Sequence, residues 1–330
     1  MTGSSQLTAS GNETKESAAI DQEPTAAAGA GGEGGERRSA APRGRAGGAS
    51  APGELRADCI ADSAGGLTFD LTAPEGTAAA WSAALVLRLR GGDGADDEVR
   101  LPLGPNGAGR LRAVLPSTVA LAEGRWNAYA DLGDGQDPRR LLPGVNDLRS
   151  LVDRRPLAGI GRLGVRIPYA TKFGNLALRS WLRGPHAEAG DILVGPDGMT
   201  VSGRLYGAVP AAGAHAEARA RRIPGRPGDV PAAVTVPLTV DGPEFAFTLP
   251  YEELAAHWAQ GTEPWDLWLR PADGARPVRI ARLLDDVADK KQVFSYPALP
   301  VRCAAGQVRI GPYYTLDNDL AVRVAGPDGS

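Results

Sequence analysis

The sequence has little of what a catalytic or metal centre is usually built from. It contains three histidines, His186, His215 and His257, and two cysteines, Cys59 and Cys303, which stand far apart. Zinc sites need Cys and His at short spacings and redox pairs need CxxC, and neither pattern occurs, so no metal and no cofactor is expected. Both thiols read as reduced and mostly buried, the usual state of a lone cysteine. No run approaches the roughly 18 apolar residues of a membrane span. The N-terminus has no basic stretch followed by an apolar one, so no secretory signal is expected and the location is read as cytoplasmic. A net charge of −3 is too small to draw in nucleic acid or an anionic membrane by its field alone. Lysine is scarce beside arginine, which reflects coding bias rather than function.

Large aliphatics are missing from the first 56 residues, where only Leu7, Ile20 and Leu55 occur after the starting Met. Such a stretch cannot bury enough apolar surface to offset the entropy of ordering it, so a disordered tail over 1–56 is expected. Its acids (Glu13, Glu16, Asp21, Glu23) precede its bases (Arg37, Arg38, Arg43, Arg45), the pattern of a solvated tether.

From Gly66 onward the texture is short runs of alternating apolar and polar residues, bounded by Gly, Pro, Asp and Asn. GLTFDL (66–71), ALVLRLR (84–90), EVRLPL (98–103), RLRAVL (110–115), WNAYADL (126–132) and RRLLP (139–143) read as strands. A hairpin over Arg162–Ser180 follows. The same order then recurs. GMTVSG (198–203) answers GLTFDL, VTVPL (234–238) answers VRLPL, and FAFTLP (245–250) answers LRAVLP. Trp265 falls on Trp126, and the hairpin itself repeats at an offset of 144, Pro168 on Pro312, Tyr169 on Tyr313, Thr171 on Thr315 and Arg179 on Arg323. Collinear self-similarity of this kind is a statement about structure. The chain reads as all-β: two tandem immunoglobulin-like β-sandwich domains, 57–184 and 190–326, joined by a linker near Gly184–Gly190. The one helical hint is YEELAAHW (251–258).

The chemistry-bearing motifs mostly reduce to structure. Leu316-Asp-Asn-Asp319 suggests a calcium loop, but its twin is Lys172-Phe-Gly-Asn175. Asn318 aligns with Gly174, and both tolerate positive φ, so a left-handed turn position accounts for both copies. Gly159-Ile-Gly-Arg-Leu-Gly164 spells a dinucleotide fingerprint but runs into a strand rather than a helix, so no helix N-terminus would meet a pyrophosphate. Asp93, Asp96, Asp97 and Glu98 read as solvated turn acids without calcium-loop spacing. No catalytic residue is assigned, since nothing resembles a nucleophile elbow.

Trp126 and Trp265 occupy equivalent strand positions and read as core anchors. Trp268 and Tyr314 have no aromatic twin of their own kind. Tyr313 and Tyr314 alternate, so one should face out, and Tyr314 together with Trp268 is taken as the exposed aromatic pair. Arg219, Arg221, Arg222 and Arg226 lie in one basic stretch of the second half. Trp268, Tyr314, Arg219, Arg221 and Arg222 are therefore the candidate ligand- or partner-contacting residues.

The pattern Pro-Tyr-x-Thr-x-x-Gly/Asn-Asn/Asp-Leu-x-Leu/Val-Arg, at Pro168–Arg179 and Pro312–Arg323, resembles one in the C-terminal β-sandwich regions of actinobacterial and firmicute glycosyltransferases. It is similar to the tandem immunoglobulin-like modules of wall teichoic acid glycosyltransferases and to regions attached to CDP-glycerol glycerophosphotransferases. The resemblance spans about Cys59 to Ala325. It implies modules that oligomerise an enzyme or hold polymer. No nucleotide-sugar-binding α/β domain precedes them here. The expected function is a non-catalytic accessory or assembly module for envelope polymer synthesis, contacting a protein partner or an anionic glycan. A transferase with an unrecognised site and a structural homo-oligomer are the alternatives.

Overall fold

A computed structural model describes residues 54–72, 80–107, 109–152, 154–156, 161–221 and 232–326. The expected tail lies outside these residues except for its last three. The described residues all belong to one unit, Ser50–Ser330.

Strand formation follows the alternation in the sequence, and two rounds of it are seen. The first comprises β1 (Arg56–Ala61), β2 (Leu67–Thr72), β3 (Ala84–Leu89), β4 (Glu98–Pro102), β5 (Gly104–Pro105), β6 (Leu111–Leu115), β7 (Gly124–Asp131), β8 (Arg139–Arg140), β9 (Leu142–Asp147), β10 (Leu163–Ala170) and β11 (Leu176–Arg183). The second comprises β12 (His186–Gly195), β13 (Gly198–Tyr206), β14 (His215–Ala220), β15 (Ala233–Pro237), β16 (Thr239–Asp241), β17 (Glu244–Pro250), β18 (Thr262–Arg270), β19 (Val278–Ala281), β20 (Leu299–Cys303), β21 (Gly306–Tyr314) and β22 (Leu320–Ala325). A short helix, α1 (Tyr251–Ala256), joins β17 to β18. Its first turn carries Glu252 and Glu253, which suit the positive end of the helix.

In the first copy one sheet runs β5-β6-β2-β1-β9 and the other β10-β11-β7-β3-β4. In the second copy the order β16-β17-β13-β12-β19 repeats the first of these, including the parallel pairing of the last two strands. β19 also pairs with β18, so the path continues through β22, β21 and β20, with β14 and β15 on the other side of β18. Inner faces of both sheets meet in one core per copy. Phe69 and Leu71 share a cluster with Leu85, Leu87 and Trp126, and Val201 and Phe247 share one with Trp265 and Val322. Trp126 faces Leu178 across β7–β11, and Trp265 faces Val322 across β18–β22, so the two tryptophans hold equivalent positions, both fully buried. Burying such a side chain accounts for about 3–5 kcal/mol by the usual cost of removing it.

Two expectations need correcting. A strand, β1, precedes the first one read from sequence, and Leu55, Ala57 and Cys59 are core residues. Its alternation (RADCIA) uses small residues, so the apolar signal is weak. The stretch expected as a linker is strand from His186 on, and His186 is fully buried.

Both hairpins keep one register. Pro168 pairs with Leu178 and Tyr169 with Ala177 in the first, and Pro312 with Val322 and Tyr313 with Ala321 in the second. The two Pro-Tyr segments therefore lie in corresponding strands. Gly174 (φ 76°) and Asn318 (φ 60°) both take the left-handed turn position.

Candidate functional site: the outer face of the second copy

Side chains on a strand alternate between faces, so the burial of Trp265, Leu267 and Leu269 in β18 turns Pro264, Asp266, Trp268 and Arg270 outward. Cross-strand pairing fixes their neighbours. Trp268 lies opposite Glu217 on β14 and Arg279 on β19, and Asp266 lies opposite Arg219 and Ala321. Arg323 lies opposite Pro264 and Gly311, which brings Tyr313 onto the same face.

The half-buried Trp268 ring is held between two guanidinium groups, with Arg219 Cζ at 5.3 Å and Arg279 Cζ at 4.9 Å from its centroid. Stacks of this kind contribute about 0.5–2 kcal/mol each and fix both ring and cation. Glu217, only 7% exposed, anchors the next row. It accepts from Arg219 Nε at 2.7 Å, Arg270 Nε at 2.8 Å and His215 Nε2 at 2.9 Å. Burial pushes its carboxyl up, but these donors outweigh that and hold it below the usual carboxylate range.

A chain of ion pairs then crosses the face. Arg221 donates to Asp266 at 2.5 Å, Arg279 to Asp266 at 3.2 Å, and Arg279 to Asp319 at 3.4 Å. Asp319 also accepts from Arg183 of the first copy at 2.6 Å, and Arg183 reaches Glu123 at 2.8 Å. The acids of the Leu316–Asp319 turn are thus ligands for arginines. Asp317 pairs with Arg179, and its carbonyl accepts from Trp181 Nε1 at 3.0 Å.

Of the residues singled out from sequence, Trp268, Arg219 and Arg221 come together on this face. Arg222 lies outside the described residues, as does Arg226. Tyr314 is corrected: it is fully buried in the second core, and its ring packs edge-on to Phe294 at 5.9 Å. Burial pushes its phenol up. The outward tyrosine is Tyr313, half-buried under Arg323 Cζ at 4.7 Å from its ring. Val308 and Ile310 carried the signal, since Tyr314 shares their parity and Tyr313 does not. Arg279, Arg323 and Asp266 were missed because isolated charges on separate strands show no spacing pattern.

The histidines have structural partners. His186 Nε2 lies 2.6 Å from Glu188 Oε2, and Glu188 also accepts from the backbone N–H groups of Leu283 and Leu284, each at 2.9 Å. His257 packs against Trp265 with ring centroids 5.9 Å apart. Among the described residues no group of three or more His, Cys, Asp or Glu is placed to hold a metal ion, and no helix is long and apolar enough to cross a membrane.

No family model matches the chain, and no curated protein matches it. Among solved structures, it is similar to the crystal structure of S. aureus TarS 217–571 at 13% identity and a TM-score of 0.29. The match covers 61% of this chain and 56% of that one, so the chain spans a little over half of that structure's length.

Proposed function

We propose that this chain is a non-catalytic accessory module of cell-envelope polymer synthesis that holds an anionic glycan polymer. Two immunoglobulin-like sandwich domains, one per copy, present it on the cytoplasmic side, beside a teichoic-acid-type transferase. The observation that carries the reading is the row of guanidinium-on-aromatic stacks on this face, Arg219 and Arg279 on Trp268 and Arg323 on Tyr313; the first copy repeats the paired stack as Arg88 and Arg140 on Tyr129. Rings pre-set beside fixed cations suit a polymer that offers sugar faces and negative charges in alternation. The acids on this face are already neutralised by arginines, so they repel an incoming anion less than free carboxylates would.

The test is co-sedimentation of the full chain with an insoluble, phosphate-bearing wall polymer, beside the same wall stripped of its polymer. Retention on the first alone is expected, falling as salt rises, and a W268A/Y313A variant should lose most of it. Equal retention on both would overturn the reading. So would turnover of a nucleotide sugar or of CDP-glycerol by the chain alone.

A further inference from the structure

We infer that a cavity of about 400 Å³, between the outer face of β21–β22 and the segment Lys291–Ala298, binds one sugar unit carrying a phosphate or carboxylate. This deepens the reading above and rests on it for the source of the ligand. The walls are of two kinds. Phe294, Tyr296 and Tyr313 supply rings, Lys291, Arg309 and Arg323 supply positive charge, and no acidic residue lines the space. Among the described residues, none of these three cations has a carboxylate partner. Arg309 Nη2 donates to the Ala298 carbonyl at 2.7 Å, and Arg323 lies on Tyr313.

The wall is held in place by packing. A Cβ on Gly311 would stand 2.7 Å from the Pro297 carbonyl oxygen, so only glycine lets the segment cross the sheet there. Phe294 and Tyr296 both pack on the buried Tyr314, at 5.9 and 6.2 Å between centroids. The site is therefore formed before any ligand arrives, which lowers the cost of ordering on binding.

The duplication shows what such a face accepts. Arg323 is the counterpart of Arg179, and in the first copy Arg179 is 5% exposed and paired with the Asp317 carboxylate from the second copy's turn. Around it, Val165, Ile167 and Trp181 form a buried apolar bed. In the second copy the matching positions are Arg309, Gly311 and Ala325. The same arginine is kept, while the bed for a protein turn is replaced by charge and open space. A second copy of the chain is a poor occupant, because the acidic turn it would offer already sits on its own Arg179 and Arg183, and the other turn carries Lys172 and Phe173 instead of acids. A separate anion with a ring to stack fits both kinds of wall.

The experiment is calorimetric titration of the full chain with glucose 1-phosphate, glucuronate, inorganic phosphate and glucose. One saturable site for glucose 1-phosphate or glucuronate is expected, and whichever binds names the acid. Arg323→Ala and Tyr313→Ala should each weaken it by at least about tenfold, while Arg139→Ala, on the first copy, leaves it unchanged. Arg323→Lys keeps charge and fold but loses the planar fork, so it should also weaken binding if the alanine variant unfolds. No saturable binding, equal affinity for glucose or for inorganic phosphate, or wild-type affinity in the variants would each overturn the inference. Wall polymer retained by the unsubstituted chain, with no saturable sugar-acid binding, would sink the cavity and leave the polymer reading intact. The reverse pattern would sink the polymer reading and leave the cavity.

Discussion

The two hairpin turns have the same backbone and opposite surroundings. In the first, Thr171 N–H donates to Asn175 O at 2.9 Å and Gly174 N–H to Thr171 O at 2.9 Å. In the second, Thr315 N–H donates to Asp319 O at 2.9 Å and Asn318 N–H to Thr315 O at 3.1 Å. The threonine hydroxyl caps the turn in both, accepting from the residue four positions on at 3.2 Å. Yet Gly174 is exposed at the first tip, while its counterpart Asn318 is fully buried at the second. The first turn ends in solvent, while the second is wedged between its own Lys290 segment and the arginines of β11. One local structure is a free loop in one place and a bolt between copies in the other. The difference lies in what each turn is packed against.

That contrast can be broken at its strongest point first. Lys290 is fully buried, its Nζ 2.6 Å from Asp285 and its backbone N–H 3.0 Å from Asn318 Oδ1. Burial pulls the ammonium below its usual range despite Asp285, so removing the acid leaves a costly unpaired charge. Asp285→Ala should cost about 3–5 kcal/mol in denaturant unfolding, whereas Lys172→Ala in the free turn should stay within about 0.5 kcal/mol. Equal small effects would mean that the second turn is not anchored.

Asp319→Ala takes the shared partner from Arg183 and Arg279, for which about 1.5–3 kcal/mol is expected. The loss should shrink on an Arg183→Met background, and strict additivity of the two substitutions would show that the pair does not couple the copies. Exchanging the left-handed residues gives a smaller, asymmetric result. Asn318→Gly keeps the backbone but strips the bond to Lys290 N–H, costing about 1–3 kcal/mol. Gly174→Asn meets no atom within 4 Å and should cost only tenths of a kcal/mol.

A further difference separates the two thiols. Burial, then Asp58, pushes the Cys59 thiol up from 9.0 to about 12, while Cys303 is half-buried. A raised folded value favours the neutral form. Its contribution is therefore complete below pH 9 and is lost as pH climbs from about 9 toward 12, at no more than about 1.4 kcal/mol per pH unit. Unfolding measured from pH 8 to 11 should show this decline, and Cys59→Ala should remove that part of the slope. In native protein, a thiol reagent should modify Cys303 alone until the chain unfolds.

Much of the architecture was legible because alternation and turn chemistry are local. GLTFDL, ALVLRLR and PWDLWLR could only be half-buried strands, and Gly174 against Asn318 named the turn conformation in both copies. Other segments carry weak local signals. RADCIA at β1 and HAEAGDILVG at β12 hide their strands behind small and polar residues. Trp268 stands out as a strand aromatic without a like twin and Arg219 as part of an arginine run, but Arg279 and Arg323 reach the same face from strands far apart in sequence. Tyr314 shares the parity of the buried Val308 and Ile310, which places it in the core and turns Tyr313 outward.

The chain by itself determined the repeated unit, because period-two patterning, paired tryptophans and a left-handed turn residue are conditions each segment meets alone. Tertiary structure decided which copy of each residue is used for what. Arg179 and Arg323 are the same letter in the same hairpin, yet one is sealed beneath a carboxylate and the other stands at an open cavity. Burial and pairing depend on what the rest of the chain lays over a face, and neither turn carries that information within itself.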